Sequence, residues 1–220
     1  MDFELIAEGL GFPEGPIWMS DGSIILVEIR RGTLTRITPD GRNEVIADLG
    51  GGPNGAAIGP DGAVYVCNNG GFEWHDVEGL VIPGHAPSDY SGGRIERVDL
   101  KTGKIDRLYD SCNGHGLRGP NDIVFDKHGG FYFTDLGKSS SRQRDVGGVY
   151  YAQSDGSSII EIEYDLVTPN GVGLSPDEKW LYYADTTPGR VWRYELSAPG
   201  EIVPAGPIGP KAHLVVTLPG

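Results

Sequence analysis

Four side chains at one recurring position hold the chemistry of this sequence. Glu14, Asn54, Asn121 and Asn170 each directly follow a proline and each open a short apolar run. Seven residues later stand Asp21, Asp61, His128 and Asp177 at turns, and fourteen later stand Glu28, Asn68 and Asp135. In the fourth copy Lys179 adds one residue, so the matching acid is Asp185. One carboxylate and three amides, brought together, make an all-oxygen donor set. Hard cations take such ligands, calcium with about six to eight oxygens and magnesium with fewer and more water. No cysteine or histidine occupies the repeated position, so a structural zinc site is not expected. The local alternative is that Asn54-Gly55 and Asn170-Gly171 are turn residues tolerating left-handed backbone. Glu14-Gly15 and Asn121-Asp122 fit that role less well, and the shared register favours a metal at Glu14, Asn121 and Asn170, with Asn54 as a substrate contact.

Such a set can converge only if the surrounding elements repeat. The four positions lie 40, 67 and 49 residues apart. Periods of about 20–50 residues mark solenoids and propellers. Each window reads as a hairpin followed by two more strands, for instance Gly32–Ile37, a turn at Pro39-Asp40-Gly41 and Glu44–Ala47 in the first copy. A four-stranded meander cannot bury both faces alone and must stack on its neighbours. The expected fold is an all-β propeller in one domain over residues 1–220, with antiparallel blades at roughly 12–49, 52–110, 119–164 and 168–218. In a propeller the first strand of each blade lines the axis. Glu14, Asn54, Asn121 and Asn170 then form a ring at one mouth, and Glu28, Asn68, Asp135 and Asp185 a wider one, read by default as strand-end groups meeting turn N–H donors. The second unit carries an insertion, residues 70–91, between its second and third strands: a ligand-face loop or a packing loop. Residues 3–7 are left over as a spare N-terminal strand.

Composition narrows the function classes. The net charge is −13, from 18 Lys and Arg against 31 Asp and Glu, which argues against a nucleic-acid partner, since that needs a clustered positive footprint. No apolar run approaches the ~18 residues of a membrane span, and the start, Met1-Asp2-Phe3-Glu4, lacks the basic and apolar regions of a signal peptide. Cys67 and Cys112 fit no metal or redox spacing; Cys67 reads as a buried free thiol, and the expected setting is cytoplasmic with a small-molecule substrate.

Phe12-Pro13-Glu14-Gly15-Pro16-Ile17-Trp18, Gly119-Pro120-Asn121-Asp122 and Pro169-Asn170-Gly171-Val172 resemble motifs of the SMP-30/gluconolactonase/LRE-like family. That group includes regucalcin and sugar-acid lactonases and, more distantly, diisopropylfluorophosphatase. The resemblance covers the whole chain and implies a six-bladed propeller with one divalent cation in the channel, most simply Ca2+, with Zn2+, Mg2+ or Mn2+ as alternatives. It implies that Glu14 and Asn170 are metal ligands and that Asn121 is a ligand or substrate contact. The family's substrate-binding arginine falls near Arg118 without aligning perfectly; the bland reading of Arg118, as of His115, is a loop residue. The aspartate that the family uses as general base opens the blade after the fourth, beyond Gly220, so the resemblance implies a truncated propeller. The expected activity is metal-assisted hydrolysis of a sugar lactone, impaired in this chain alone. The alternatives are a calcium- or ligand-binding propeller without turnover, and esterase or phosphotriesterase chemistry in the same pocket.

Overall fold

The computed structural model describes residues 4–204 and 211–219. Every regular element among them is a strand. The first unit comprises β1 (Pro13–Trp18), β2 (Ile24–Glu28), β3 (Thr33–Ile37) and β4 (Asn43–Asp48). The second has β5 (Pro53–Ile58) and β6 (Val64–Asn68), then the insertion hairpin of β7 (Trp74–Val77) and β8 (Leu80–Pro83), then β9 (Arg94–Val98) and β10 (Ile105–Tyr109). A small hairpin, β11 (Ser111–Cys112) and β12 (His115–Gly116), leads into the third unit of β13 (Pro120–Phe125), β14 (Gly130–Asp135), β15 (Gly147–Gln153) and β16 (Ile159–Leu166). The fourth has β17 (Pro169–Leu174), β18 (Trp180–Asp185) and β19 (Arg190–Ala198), with β20 (Glu201–Ile202) and β21 (His213–Thr217) both pairing with β19. All pairings are antiparallel, and the first three units are four-stranded in meander order, as the repeats predict.

The units stack through period-2 alternation, because successive strand side chains point to opposite faces. On β6, Val64 and Val66 join Ile25, Val27 and Leu34 of the first unit, while Tyr65 and Cys67 join Phe131, Phe133 and Tyr150 of the third. On β14, Tyr132 turns the other way to meet Tyr183 and Tyr194 of the fourth. Three interfacial cores result, each between two neighbours. The first strands touch in sequence, β1 to β5, β5 to β13 and β13 to β17, and so line one axis.

One expectation is corrected. Residues 4–10 form no strand. They lie against the first unit, where the Asn43 side-chain amide donates to the Glu8 carbonyl at 3.3 Å, and no sheet edge among the described residues pairs with them; Phe3 lies outside the described residues. The turn at His128-Gly129 stands where the repeat places it, with Gly129 at φ 90° and its N–H donating to the Asp126 carbonyl, but its cap differs. Asp21 and Asp61 accept the N–H two residues on, but in the third unit Asp126 accepts from the N–H groups of His128 and Gly130, because His128 has no carboxylate to cap its own turn. Cys67 and Cys112 are both free and buried.

Candidate functional site

Each first strand breaks its register at the repeated residue or directly after it. The shifts fall between Glu14 and Ile17 in β1, Pro53 and Gly55 in β5, Pro120 and Ile123 in β13, and Pro169 and Val172 in β17. A bulge places an extra residue opposite one partner residue and re-aims a side chain. Here it happens across the repeated residue in three units and directly after Glu14 in the first. The glycine that follows makes room: a Cβ on Gly15 would stand 2.6 Å from the Ala56 nitrogen, and one on Gly55 would fall onto the Asn121 carbonyl and 2.7 Å from the Asp122 Cα. At Gly15 and Gly55 the repeated glycine therefore reflects close approach of neighbouring inner strands, whereas a Cβ on Gly171 would meet nothing nearer than 3.8 Å.

Glu14, Asn54, Asn121 and Asn170 line one cavity of about 230 Å³, together with Gly15, Pro16, Gly55 and Asp122. The ring read from the sequence thus converges. Asn54 and Asn121 are buried, and Glu14 is the most open of the four. Partial burial pushes the Glu14 carboxyl above its usual range, against the pull of the Gly15 N–H, and the neighbouring Asp122 charge adds to the rise.

Asp122 is the site residue the sequence did not single out. It stands where the other units have glycine, and its carboxylate reaches the neighbouring strand beside Gly171. One oxygen accepts the Val172 N–H at 3.0 Å and the other its neighbour Ile123 N–H at 2.9 Å. Its own N–H donates to Thr134 Oγ1 at 3.2 Å, and that hydroxyl donates in turn to the Asn170 carbonyl. Asp122 and Thr134 therefore fix the third unit to the backbone that presents Asn170. Burial raises the Asp122 carboxyl above its ordinary value. The signal was the departure from Asn-Gly to Asn-Asp.

The wider ring holds loops, as its default reading had it. Asp135 accepts from the N–H groups of Arg118 (2.7 Å), Gly119 (2.6 Å) and Gly137 (2.8 Å). Asn68 Oδ1 accepts from Gly52 and Gly70, Asp185 from Thr168, and Glu28 from Gly11. In three units the clamped N–H lies two residues before the ring residue, so each second strand anchors the loop that delivers Asn54, Asn121 or Asn170.

Arg118 is not brought to the ring. Its guanidinium pairs with Asp145 (Nε to Oδ2, 2.7 Å) and lies over the Tyr90 ring at 5.2 Å. It lines a separate cleft of about 470 Å³ with His115, Asp145, Tyr150, Glu161 and Tyr164. The physical reason is the nearby carboxylate of the loop before β15, which draws the arginine outward.

The donor set suits a hard cation: one carboxylate and amide oxygens round a cavity with room for an ion and water. Among the described residues no group of three or more His, Cys, Asp and Glu could hold a metal, so any cation here depends on the amides. No helix among them is long and apolar enough to cross a membrane.

Comparison with known proteins agrees with this architecture. A gluconolactonase of Zymomonas mobilis subsp. mobilis is 29% identical over 220 residues, covering 90% of this chain and 56% of that protein. Lactonase drp35 of Staphylococcus saprophyticus is 32% identical over 206 residues, covering 92% and 57%. The chain thus spans little more than half the length of these relatives. The solved structure of a gluconolactonase from Xanthomonas campestris superposes with a TM-score of 0.67 at 22% identity, covering 87% of this chain and 60% of that one, which supports the propeller architecture. The model of the SMP-30/gluconolactonase/LRE-like region matches residues 12–208, and the chain belongs to that family.

Proposed function

We propose that the ring of Glu14, Asn121 and Asn170 holds a divalent cation and that the site opens a sugar-type lactone with water. The carrying observation is the convergence of the four repeated side chains on one cavity, with a bulge at or next to each of them. The lactonase names of the relatives point the same way.

A bound cation would polarise the lactone carbonyl and acidify a bound water. The chain's own residues do the rest. Glu14 supplies the only formal charge among the three ligands, and the neutral amide oxygens of Asn121 and Asn170 leave the ion strongly Lewis-acidic. The Asn54 amide, beside them on the inner wall, can donate to and accept from substrate hydroxyls. Asp122 holds the β17 backbone, so it orients Asn170 rather than meeting substrate. Ca2+ fits this oxygen set best.

The test is calcium titration calorimetry of the protein and of E14Q, with lactone hydrolysis followed in parallel with and without chelator. The reading expects binding that E14Q weakens at least tenfold and turnover that chelator abolishes. Equal turnover with and without chelator refutes the metal role. One observation favours a second reading, a calcium- or ligand-binding propeller without turnover: the other carboxylate of the cavity lining, Asp122, already accepts a backbone N–H at each oxygen and so serves to hold the β13 and β17 backbones. Binding without hydrolysis across a panel of lactones would favour it.

A further inference from the structure

The insertion of the second unit leaves and returns at the mouth. It departs after Asn68 and rejoins at Arg94, which pair with each other, and Asn68 pairs with Pro53 beside the ring residue Asn54. Its two flanks reach the neighbouring units. On one side Trp74 packs against Phe12 with ring centroids 5.2 Å apart, two residues before Glu14, and Phe72 stands 6.2 Å from Trp74. On the other side the Ala86 N–H donates to the Ser139 carbonyl at 2.9 Å, and the Tyr90 hydroxyl donates to the Arg118 carbonyl at 2.5 Å.

A buried lysine joins the root of the insertion to the third unit. Lys138, three residues past Asp135, is 5% exposed. Its Nζ donates to Asn69 Oδ1 at 2.9 Å and to the Gly71 carbonyl at 2.6 Å, and it stands 3.6 Å from the centre of the Phe72 ring. No carboxylate forms an ion pair with it among the described residues. Dehydrating an amine without an ion-pair partner is costly, and nothing in the stacking of the units requires it there.

We propose that Lys138 is a positioning residue that pins the 70–91 insertion across the channel mouth, where Phe72 and Trp74 wall the ring of Glu14, Asn54, Asn121 and Asn170 and tighten its hold on substrate. The kinetic half of this rests on the lactone reading; the pin does not. Burial draws the Lys138 amine down to about 7, Asp135 pulls it back, and Arg118 lowers it; Tyr90 also faces it, 5.8 Å from Nζ to ring centre, and Asp145 accepts its backbone N–H. A neutral amine keeps two N–H donors, which match the two acceptors, so the pin holds in either protonation state.

The experiment compares the protein with K138M, which keeps the stem and removes the donors, and with W74A, which removes the opposite flank. Hydrogen exchange over residues 70–91 is measured with steady-state lactone hydrolysis. The expected result for K138M is exchange about tenfold faster in 70–91 with β5, β6, β13 and β14 unchanged, and KM raised about tenfold with kcat within about twofold; W74A reproduces the KM effect. Unchanged exchange in K138M overturns the pin. Faster exchange with unchanged KM overturns the wall. If the protein hydrolyses no lactone, the lactone reading fails by itself, exchange still decides the pin, and the wall is decided by calcium release into excess chelator, faster in K138M if the wall exists and unchanged if it does not. A protein that binds no calcium refutes the wall and leaves the pin to the exchange data.

Discussion

Replacing Asp135 by alanine tests whether the second strands hold the site. The carboxylate is 3% exposed and accepts three backbone N–H groups, from Arg118, Gly119 and Gly137. Truncation leaves three buried donors, each costing about 1–3 kcal/mol when unpaired. Burial itself pushes the Asp135 carboxyl above its ordinary value, with the three N–H groups and Lys138 acting the other way, so part of their contribution offsets the dehydration of the charge. Taking the low end for each donor gives a loss of about 3–4 kcal/mol, and water entering the vacated space would not raise it. For a chain of this length each kcal/mol moves Tm by about 2–4 °C, so D135A should melt roughly 10 °C lower. D135N keeps a carbonyl for Gly119 and Gly137 but turns its NH2 toward the Arg118 N–H, and should fall between. The assay is thermal and urea unfolding by circular dichroism, with exchange at residues 117–121 as the local readout. A D135A loss under about 1 kcal/mol, or D135N as damaging as D135A, refutes the clamp.

Three further outcomes follow from the same geometry. G55A should destabilise by about 2–3 kcal/mol through overpacking against the Asn121 carbonyl, whereas G173A, with nothing within 4 Å of its Cβ, should be neutral or slightly stabilising; paired urea midpoints decide. Cys67 and Cys112 should both resist a thiol reagent in the folded protein and react together on unfolding, since burial pushes both thiols up; fast native labelling would contradict the buried interface between the second and third units. The folded Lys138 amine at about 7 lies below its ordinary 10.5. The unfolded or opened form then binds more protons between those values, so the opening free energy of 70–91 should rise with pH above 7, by at most about 1.4 kcal/mol per pH unit. Exchange corrected for its intrinsic pH dependence should show the slope in the wild type and lose it in K138M.

The fold was legible because stacking repeats write the same sentence in every unit: proline, an amide or carboxylate, an apolar strand, a turn, a second strand ending on a polar group. Convergence of Glu14, Asn54, Asn121 and Asn170 followed from that register alone. What was not legible depends on contacts across units. Asp122 sits in a pair that fits a turn poorly, and only the Val172 N–H that it accepts, 50 residues on, shows what a carboxylate does where the other units have glycine. Arg118 looks like a site residue, yet its partner Asp145 lies 27 residues on and draws it away. Lys138 and Asn69 are 69 residues apart and share no motif. Residues 3–7 read as a spare strand, but a strand exists only where an edge receives it, and none among the described residues receives 4–7.

The three interfacial cores also set how far the proposed ligands stand apart along the stack. The first and second units share one core, the second and third another, and the third and fourth the last. Glu14 belongs to the first unit and Asn170 to the fourth. An ion held by both would span all three cores and work as a clasp, adding about 2.7 kcal/mol at a hundredfold excess over its Kd.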